Sequence, residues 1–181
     1  MVTLIGPVSV RATRGDTSMG ALRAVRRLAT LVTAAALLAA PAGALAGEQH
    51  LEFKLVVRPV DVKTVEAPNI PGRTEGAGQW FGVAYFSDGR VAAKDFINEA
   101  DLLNGLGSIK GYSTYTFTDG SSITASFTGE FQETGVHGRY TILSGTGAYE
   151  HATGTGTFDS VPTKWKDGAS LLNGTFDVKT P

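Results

Sequence analysis

Along residues 51–57 the chain alternates Leu51, Phe53, Leu55 and Val57 against Glu52, Lys54 and Val56, the period of two that one buried strand face produces. The period returns at 109–118, where Ile109, Gly111, Ser113, Tyr115 and Phe117 alternate with Lys110, Tyr112, Thr114, Thr116 and Thr118. It returns again at 123–131 with Ile123, Ala125, Phe127, Gly129 and Phe131, and the Asp119-Gly120 between the two runs predicts a hairpin. Residues 79–86 are nearly all apolar and end at Ser87-Asp88-Gly89, another turn signal, before 91–97 returns. Runs at 136–143, 154–161 and 171–179 bring the count to about eight strands. Residues 58–76, with three Pro and two Gly, read as a long loop, and 98–104 as one helical turn or a loop. Most connections are too short for a parallel crossover, so the strands are predominantly antiparallel. The pattern predicts an all-β fold, an eight-stranded antiparallel β-barrel filled by side chains or holding one small ligand. A two-sheet sandwich of the same strands is the alternative.

Composition divides the chain in two. Residues 1–46 carry five Arg and one Asp, leaving 11 basic and 16 acidic residues afterwards, and all 16 Phe, Trp and Tyr lie beyond position 46. Arg23, Arg26 and Arg27 precede an apolar run at 28–40, followed by Pro41 and Ala44-Leu45-Ala46. That order is the order of a secretory signal peptide. Thirteen residues span about 20 Å, less than the ~30 Å of a bilayer core. The expectation is cleavage after Ala46, no stable membrane span afterwards, and a secreted or periplasmic protein. Met19 is an alternative start, and Arg26-Arg27 fits general secretion better than twin-arginine export. A transit peptide would be richer in Ser and amphipathic.

Residues 47–181 then form a single domain of 135 residues without Cys, which must fold on its core alone. A closed sheet suits that requirement. Its 19 Gly, about twice the usual ~7 % frequency, fall between runs of Thr, Val, Tyr and Phe, as turns and bulges require. Gly145-Thr-Gly-Ala-Tyr149 is echoed by Gly154-Thr-Gly-Thr-Phe158, two related turns or bulges with no longer repeat around them.

The stretch Tyr115-Thr-Phe-Thr-Asp-Gly120, then Gly138-Arg-Tyr-Thr-Ile-Leu-Ser-Gly-Thr-Gly-Ala-Tyr-Glu-His-Ala-Thr-Gly154, resembles the allene oxide cyclase barrel family and its dirigent relatives. The resemblance covers roughly a third of residues 47–181. It implies an eight-stranded barrel of calycin type with an apolar cavity, often assembled as a trimer. It also implies cofactor-free isomerase or cyclase chemistry, in which a dry cavity constrains how a reactive, largely apolar molecule closes or couples. Allene oxide cyclases draw active groups, a Cys among them, from their first strands. This chain has no Cys and nothing alignable there, so no catalytic residue carries over.

Several classes of chemistry find little support. His50, His137 and His151 are widely spaced and without a thiolate, so no metal or cofactor is expected. No Gly-x-Ser-x-Gly elbow occurs, and Gly76-Ala-Gly78 and Gly105-Leu-Gly107 lack the helix and Lys of a phosphate cradle. A net charge of −5 after residue 46 argues against nucleic acid. Asn173-Gly-Thr175 matches a glycosylation acceptor. The remaining candidates are polar side chains in phase with an apolar strand face, where a lumen would lie. Tyr115 is in phase with Phe117, Tyr140 with Val136 and Ile142, Asp95 with Val91 and Ile97, and Asn173 with Leu171.

Asp95, Tyr115 and Tyr140 form the candidate catalytic set, since a carboxyl or phenol in apolar surroundings needs a partner that a substrate can supply. Trp80 and Asn173 are candidate ligand contacts, with Trp165 as a second ring for the mouth. The competing reading gives each tyrosine a structural hydroxyl, slips Asp95 into water and makes the tryptophans packing. His137 and Arg139 fall on the face opposite Tyr140 and should point outward. Three functions follow: a cyclase acting on a small hydrophobic molecule, a carrier of such a molecule, or a structural barrel with function on its outer face. In the third, Phe53, Phe117, Phe127, Phe131 and Phe176 fill the lumen and leave no pocket of ~300 Å³.

Overall fold

A computed structural model describes residues 47–165 and 168–181, so the expected leader lies outside the described residues. The strands are β1 (Gly47–Glu66), β2 (Arg73–Phe86), β3 (Val91–Leu103), β4 (Leu106–Phe117), β5 (Ser122–Gln132), β6 (Gly135–Thr146), β7 (Thr153–Val161) and β8 (Ser170–Thr180), with a 3-10 turn at Gly147–Tyr149. Each pairs antiparallel with its sequence neighbour and β8 returns to β1, closing the barrel. The eight-stranded barrel is thus the observed fold, and the sandwich is excluded.

The alternation seen in the sequence sets the inner face. Leu51, Phe53, Leu55 and Val57 point inward from β1, Tyr115 and Phe117 from β4, Ile123, Ala125 and Phe127 from β5, and Tyr140 and Ile142 from β6. Nine buried rings would overfill a barrel of this size if every inner position were large, and inward glycines relieve the crowding. A Cβ on Gly138 would come within 2.1 Å of the Phe158 ring, and one on Gly174 within 2.4 Å of the Phe53 ring. The small positions are seats for the large ones, which is how native packing density is reached.

Two expectations are corrected. Residues 58–66 are strand: β1 passes a bulge between Pro59 and Asp61 and stays paired with β2 as far as Glu66, opposite Thr74. Pro59 sits at the bulge, while Pro68 and Pro71 fall in the short connection at 67–72. Proline at a bulge or in a turn removes no ladder bond, so its abundance did not signal a long loop. Residues 98–103 are also strand, paired with both β2 and β4. The turn is Asn104-Gly105, with φ of +52° and +82°, the two-residue hairpin that Asn-Gly favours.

The two ends of the barrel differ. At one end Tyr149, 1 % exposed, packs on Phe117 with ring centroids 5.0 Å apart, and the Arg90 guanidinium lies 5.5 Å from the Phe117 ring centre. Arg90 hydrogen-bonds the Tyr149 hydroxyl and grips Asp88 through Nε at 2.8 Å, closing this end. At the other end the ladder between β8 and β1 stops at Ser170 and Val57, while β1 runs on to Glu66. The sheet there extends past the rim as β1 to β4, and inner residues Phe96, Ala100, Phe131 and Val136 are only partly buried. This end is the mouth.

Candidate functional site: a buried lysine and two tyrosines

Halfway down the interior, β3 contributes an inward lysine. Lys94 is 3 % exposed, and its Nζ donates to Tyr140 Oη at 2.9 Å. Tyr115, 0 % exposed and directly opposite Lys94 in the β3–β4 register, donates its hydroxyl to the same oxygen at 3.0 Å. Four rings surround the ammonium: Phe96 at 4.4 Å, Tyr115 and Tyr140 each at 5.1 Å, and Phe127 at 5.6 Å from Nζ to ring centre. Among the described residues no carboxylate lies within ion-pair distance of it.

Burial governs the protonation of all three groups. Desolvation pushes the Lys94 ammonium down to about 7, because the charged form loses its water and gains no counter-charge. It holds the Tyr115 hydroxyl well above the ordinary phenol range, helped by Tyr140, and it raises Tyr140 against the opposing hydrogen bond from Tyr115. At neutral pH the two phenols keep their protons, while Lys94 divides between amine and ammonium. As ammonium it donates to Tyr140; as amine it can accept the Tyr140 proton. The trio is therefore a site where a proton can be taken up and returned in the absence of water.

Ser113 adds a fourth polar group. It is 2 % exposed, lies on β4 opposite Phe96, and its Oγ has no hydrogen-bond partner among the described residues. Buried hydroxyls are seldom left so. Toward the mouth, Trp80 stacks on Phe96 with centroids 5.8 Å apart and planes 14° from parallel. Its Nε1 donates to Asn98 Oδ1 at 2.7 Å, which fixes the indole at the rim. Phe96 meets Phe127 edge-on at 6.0 Å, linking the rim rings to the interior.

The structure brings Tyr115 and Tyr140 together and puts Trp80 on the inner face of the mouth. Trp165, in the connection between β7 and β8, is 50 % exposed. Asp95 and Asn173 are elsewhere. Asp95 is exposed on the outer wall, beside a hollow of about 350 Å³ whose lining includes Ile97, Tyr112 and Thr114 and also reaches Trp80, Phe96 and Ser113. The inner positions of β3 are Ala92, Lys94, Phe96, Asn98 and Ala100, one residue out of step with the expectation. Val91 and Ile97, taken as inner markers, sit on the outer wall, where Ile97 is 52 % exposed. Asn173 is likewise exposed on β8, since Leu172, Gly174, Phe176 and Val178 point inward. One slipped position exchanges every side chain between faces.

Lys94 was hidden by that slip and by the habit of lysine, which is almost never buried without a partner. The available signal was Phe96, whose ring belongs in the core and whose phase carries Lys94 and Asn98 inward with it. On the outer wall His137 pairs with Asp159 at 2.7 Å and His50 with Asp177 at 2.6 Å. Arg139 is exposed there, so His137 and Arg139 do face outward.

Comparison with known proteins gives the fold a precedent. No family model matches the chain, and no curated protein does. Among solved structures, the pterocarpan synthase dirigent protein GePTS1 aligns with a TM-score of 0.51 and 18 % identity, over 74 % of this chain and 87 % of that one. The pterocarpan synthase dirigent protein PsPTS1 gives 0.51 and 18 %, over 73 % and 94 %. The chain folds as a dirigent-like barrel.

Proposed function

We propose that this barrel takes up a small, flat, largely apolar molecule at the Trp80 and Phe96 mouth and holds a polar atom of it against Lys94, with Tyr140 and Tyr115 behind. The observation that carries the reading is Lys94 itself. A lysine buried without a carboxylate costs the fold several kcal/mol, about 5 for a fall from 10.5 to about 7. Such perturbed groups concentrate at functional sites. A core needing only volume would hold Met or Leu there.

The site suits cofactor-free isomerisation or cyclisation. Lys94 as amine can remove a proton from a bound molecule, Tyr140 can return one, and the ring walls fix the conformation that reacts. The dirigent-like fold agrees with this, since the two aligned structures are named as pterocarpan synthase dirigent proteins. We place the protein outside the cytoplasm, on the leader-like order of residues 1–46, and take a homo-oligomer, a trimer by family resemblance, as its assembly. The rival reading, a structural barrel working through its outer face, draws on the closed half, where Phe53, Phe86, Tyr115 and Phe176 interlock at centroid distances of 5.0 to 5.5 Å.

Titration with 2-naphthol, followed by calorimetry and tryptophan fluorescence, tests the reading. Saturable binding at one site per chain is expected, weakened roughly tenfold or more in Lys94→Met, as loss of one charge-assisted hydrogen bond dictates. Trp80→Ala should weaken it as well. Absence of saturation in the folded wild-type protein would leave the outer face as the seat of function.

A further inference from the structure

We propose that Lys94 is a nucleophile and that the molecules this barrel takes up include aromatic aldehydes or ketones, which it binds as an imine. The inference rests on the reading above, that the mouth admits a flat apolar molecule, and it names the substrate class. Three features of the interior point to carbonyl chemistry rather than to a buried cation serving structure.

The first is the amine's surroundings. Lys94 Nζ has four ring faces and one hydroxyl around it and, among the described residues, no carboxylate to hold it as ammonium. A lysine desolvated in an apolar pocket is the usual form of an imine-forming lysine, because its lone pair is free at neutral pH. The second is the tyrosine pair. Tyr140 Oη lies 2.9 Å from Nζ, with Tyr115 Oη 3.0 Å behind it, so an acid and its proton donor stand where a leaving hydroxyl needs them. The third is Ser113. Its buried Oγ has no partner among the described residues and faces the interior one inward step closer to the mouth than Tyr115, where the oxygen of an incoming carbonyl would lie.

The chemistry balances without an oxidant, reductant or cofactor. The Nζ lone pair attacks the carbonyl carbon, the C–N bond forms, and the carbonyl π pair moves to oxygen, steadied by Ser113 Oγ. That oxygen takes one proton from Nζ to give the carbinolamine. Tyr140 then protonates the hydroxyl, which departs as water as the nitrogen lone pair forms the C=N bond. The second Nζ proton passes back to Tyr140, leaving a neutral imine, and water reverses the sequence. Phe96, the next inward residue on β3 and only partly buried, covers the amine and must swing aside for the carbonyl to reach it.

The full chain is incubated with cinnamaldehyde and sodium cyanoborohydride at pH 7, and the product is mapped by peptide mass spectrometry. One cinnamyl group on Lys94 is expected, formed at least tenfold faster than on the exposed Lys54, Lys63, Lys110, Lys164 and Lys179. The trapping rate should rise with pH around neutrality and level off by pH 9, since the groups facing Nζ, Tyr115 and Tyr140, stay protonated throughout. Tyr140→Phe should slow trapping tenfold or more at a saturating concentration of cinnamaldehyde, a loss in the bond-forming step that weaker uptake does not explain. Ser113→Ala should slow it less.

Lys94→Met should lose the specific label and retain a cooperative melt. Binding of cinnamyl alcohol, read by tryptophan fluorescence, separates the two claims. If the alcohol binds but the label spreads over exposed lysines equally in wild type and Lys94→Met, the imine inference is overturned and the binding barrel stands. If neither alcohol nor aldehyde binds, both fall.

Discussion

Lys94 ties the stability of the whole protein to the protonation of one buried side chain. Folding moves its ammonium from water into a ring-walled interior, and the proton is held less tightly in the fold, at about 7, than in the unfolded chain, near 10.5. Between those two values the unfolded chain binds the extra proton, so stability rises with pH across that interval. The destabilisation is present in full below about 7 and is relieved progressively above it. The four ring faces reduce the penalty, at roughly 0.5 to 2 kcal/mol for a desolvated cation over a ring. Lys94→Met keeps the volume and removes the charge. It should therefore be more stable than wild type at pH 6, by about 2 to 4 kcal/mol, and the gap should narrow steadily from pH 7 to pH 9.5. Urea unfolding at pH 6, 8 and 9.5 measures it, and wild-type and variant curves that stay parallel would remove Lys94 as a buried titrating group.

At the scale of the element, β1 is the unusual strand. Residues 53–57 are paired on both sides, whereas among the described residues 47–52 pair with β8 alone and 58–66 have a strand on the β2 side only. Val60, Val62 and Val65 are 59, 46 and 70 % exposed, a composition that invites pairing with another chain. Pro59, the bulge, Asp61 and Lys63 interrupt that edge, and these are the features by which natural sheets discourage edge-to-edge association. Replacing Asp61 and Lys63 together by Thr should leave the barrel folded and raise its aggregation rate at least several-fold, followed by light scattering at constant protein concentration. No increase would show that the edge is covered.

The same strand explains what was legible beforehand. Where one face is buried, as at 51–57, 109–117 and 123–127, the period of two fixed both strand and phase. Where strands leave the rim, both faces meet solvent and the period fades, so 58–66 and 98–103 were hard to read as strand. Phase failed in β3 and β8 for a related reason. Val91, Ile97 and Leu171 are apolar on the outer wall while Lys94 is polar inside, so apolarity pointed the wrong way at Asp95 and Asn173. Tyr115 and Tyr140 were found because their strands alternate cleanly.

For the molecule as a whole, the asymmetry between its ends dictates where it can open. Arg90, Tyr149, Phe86 and Phe117 lock one end, and above them the Phe176 ring touches both Phe53 and Tyr140 at centroid distances of 5.1 Å. At the mouth the inner wall thins to Gly76, Gly78 and Gly111 beside half-buried Trp80 and Phe96. Local opening follows the density of buried apolar contacts, so the free energy of opening should fall from the locked end to the mouth. Hydrogen exchange should be slowest at 51–57, 113–117, 123–127 and 172–178, and fastest at 60–66, 74–79 and 98–103. This gradient is also what admission of a ligand requires, because in a closed barrel the weakly packed rim parts more readily than the locked end. A flat apolar ligand bound against Lys94 must order the rim rings. It should slow exchange at 76–80 and 94–98 several-fold while leaving 86–90 and 147–152 unchanged. Exchange that is uniform along each strand, or protection that appears first around Tyr149, would mean that the barrel opens from the end described here as locked, and the path to Lys94 would have to be sought there.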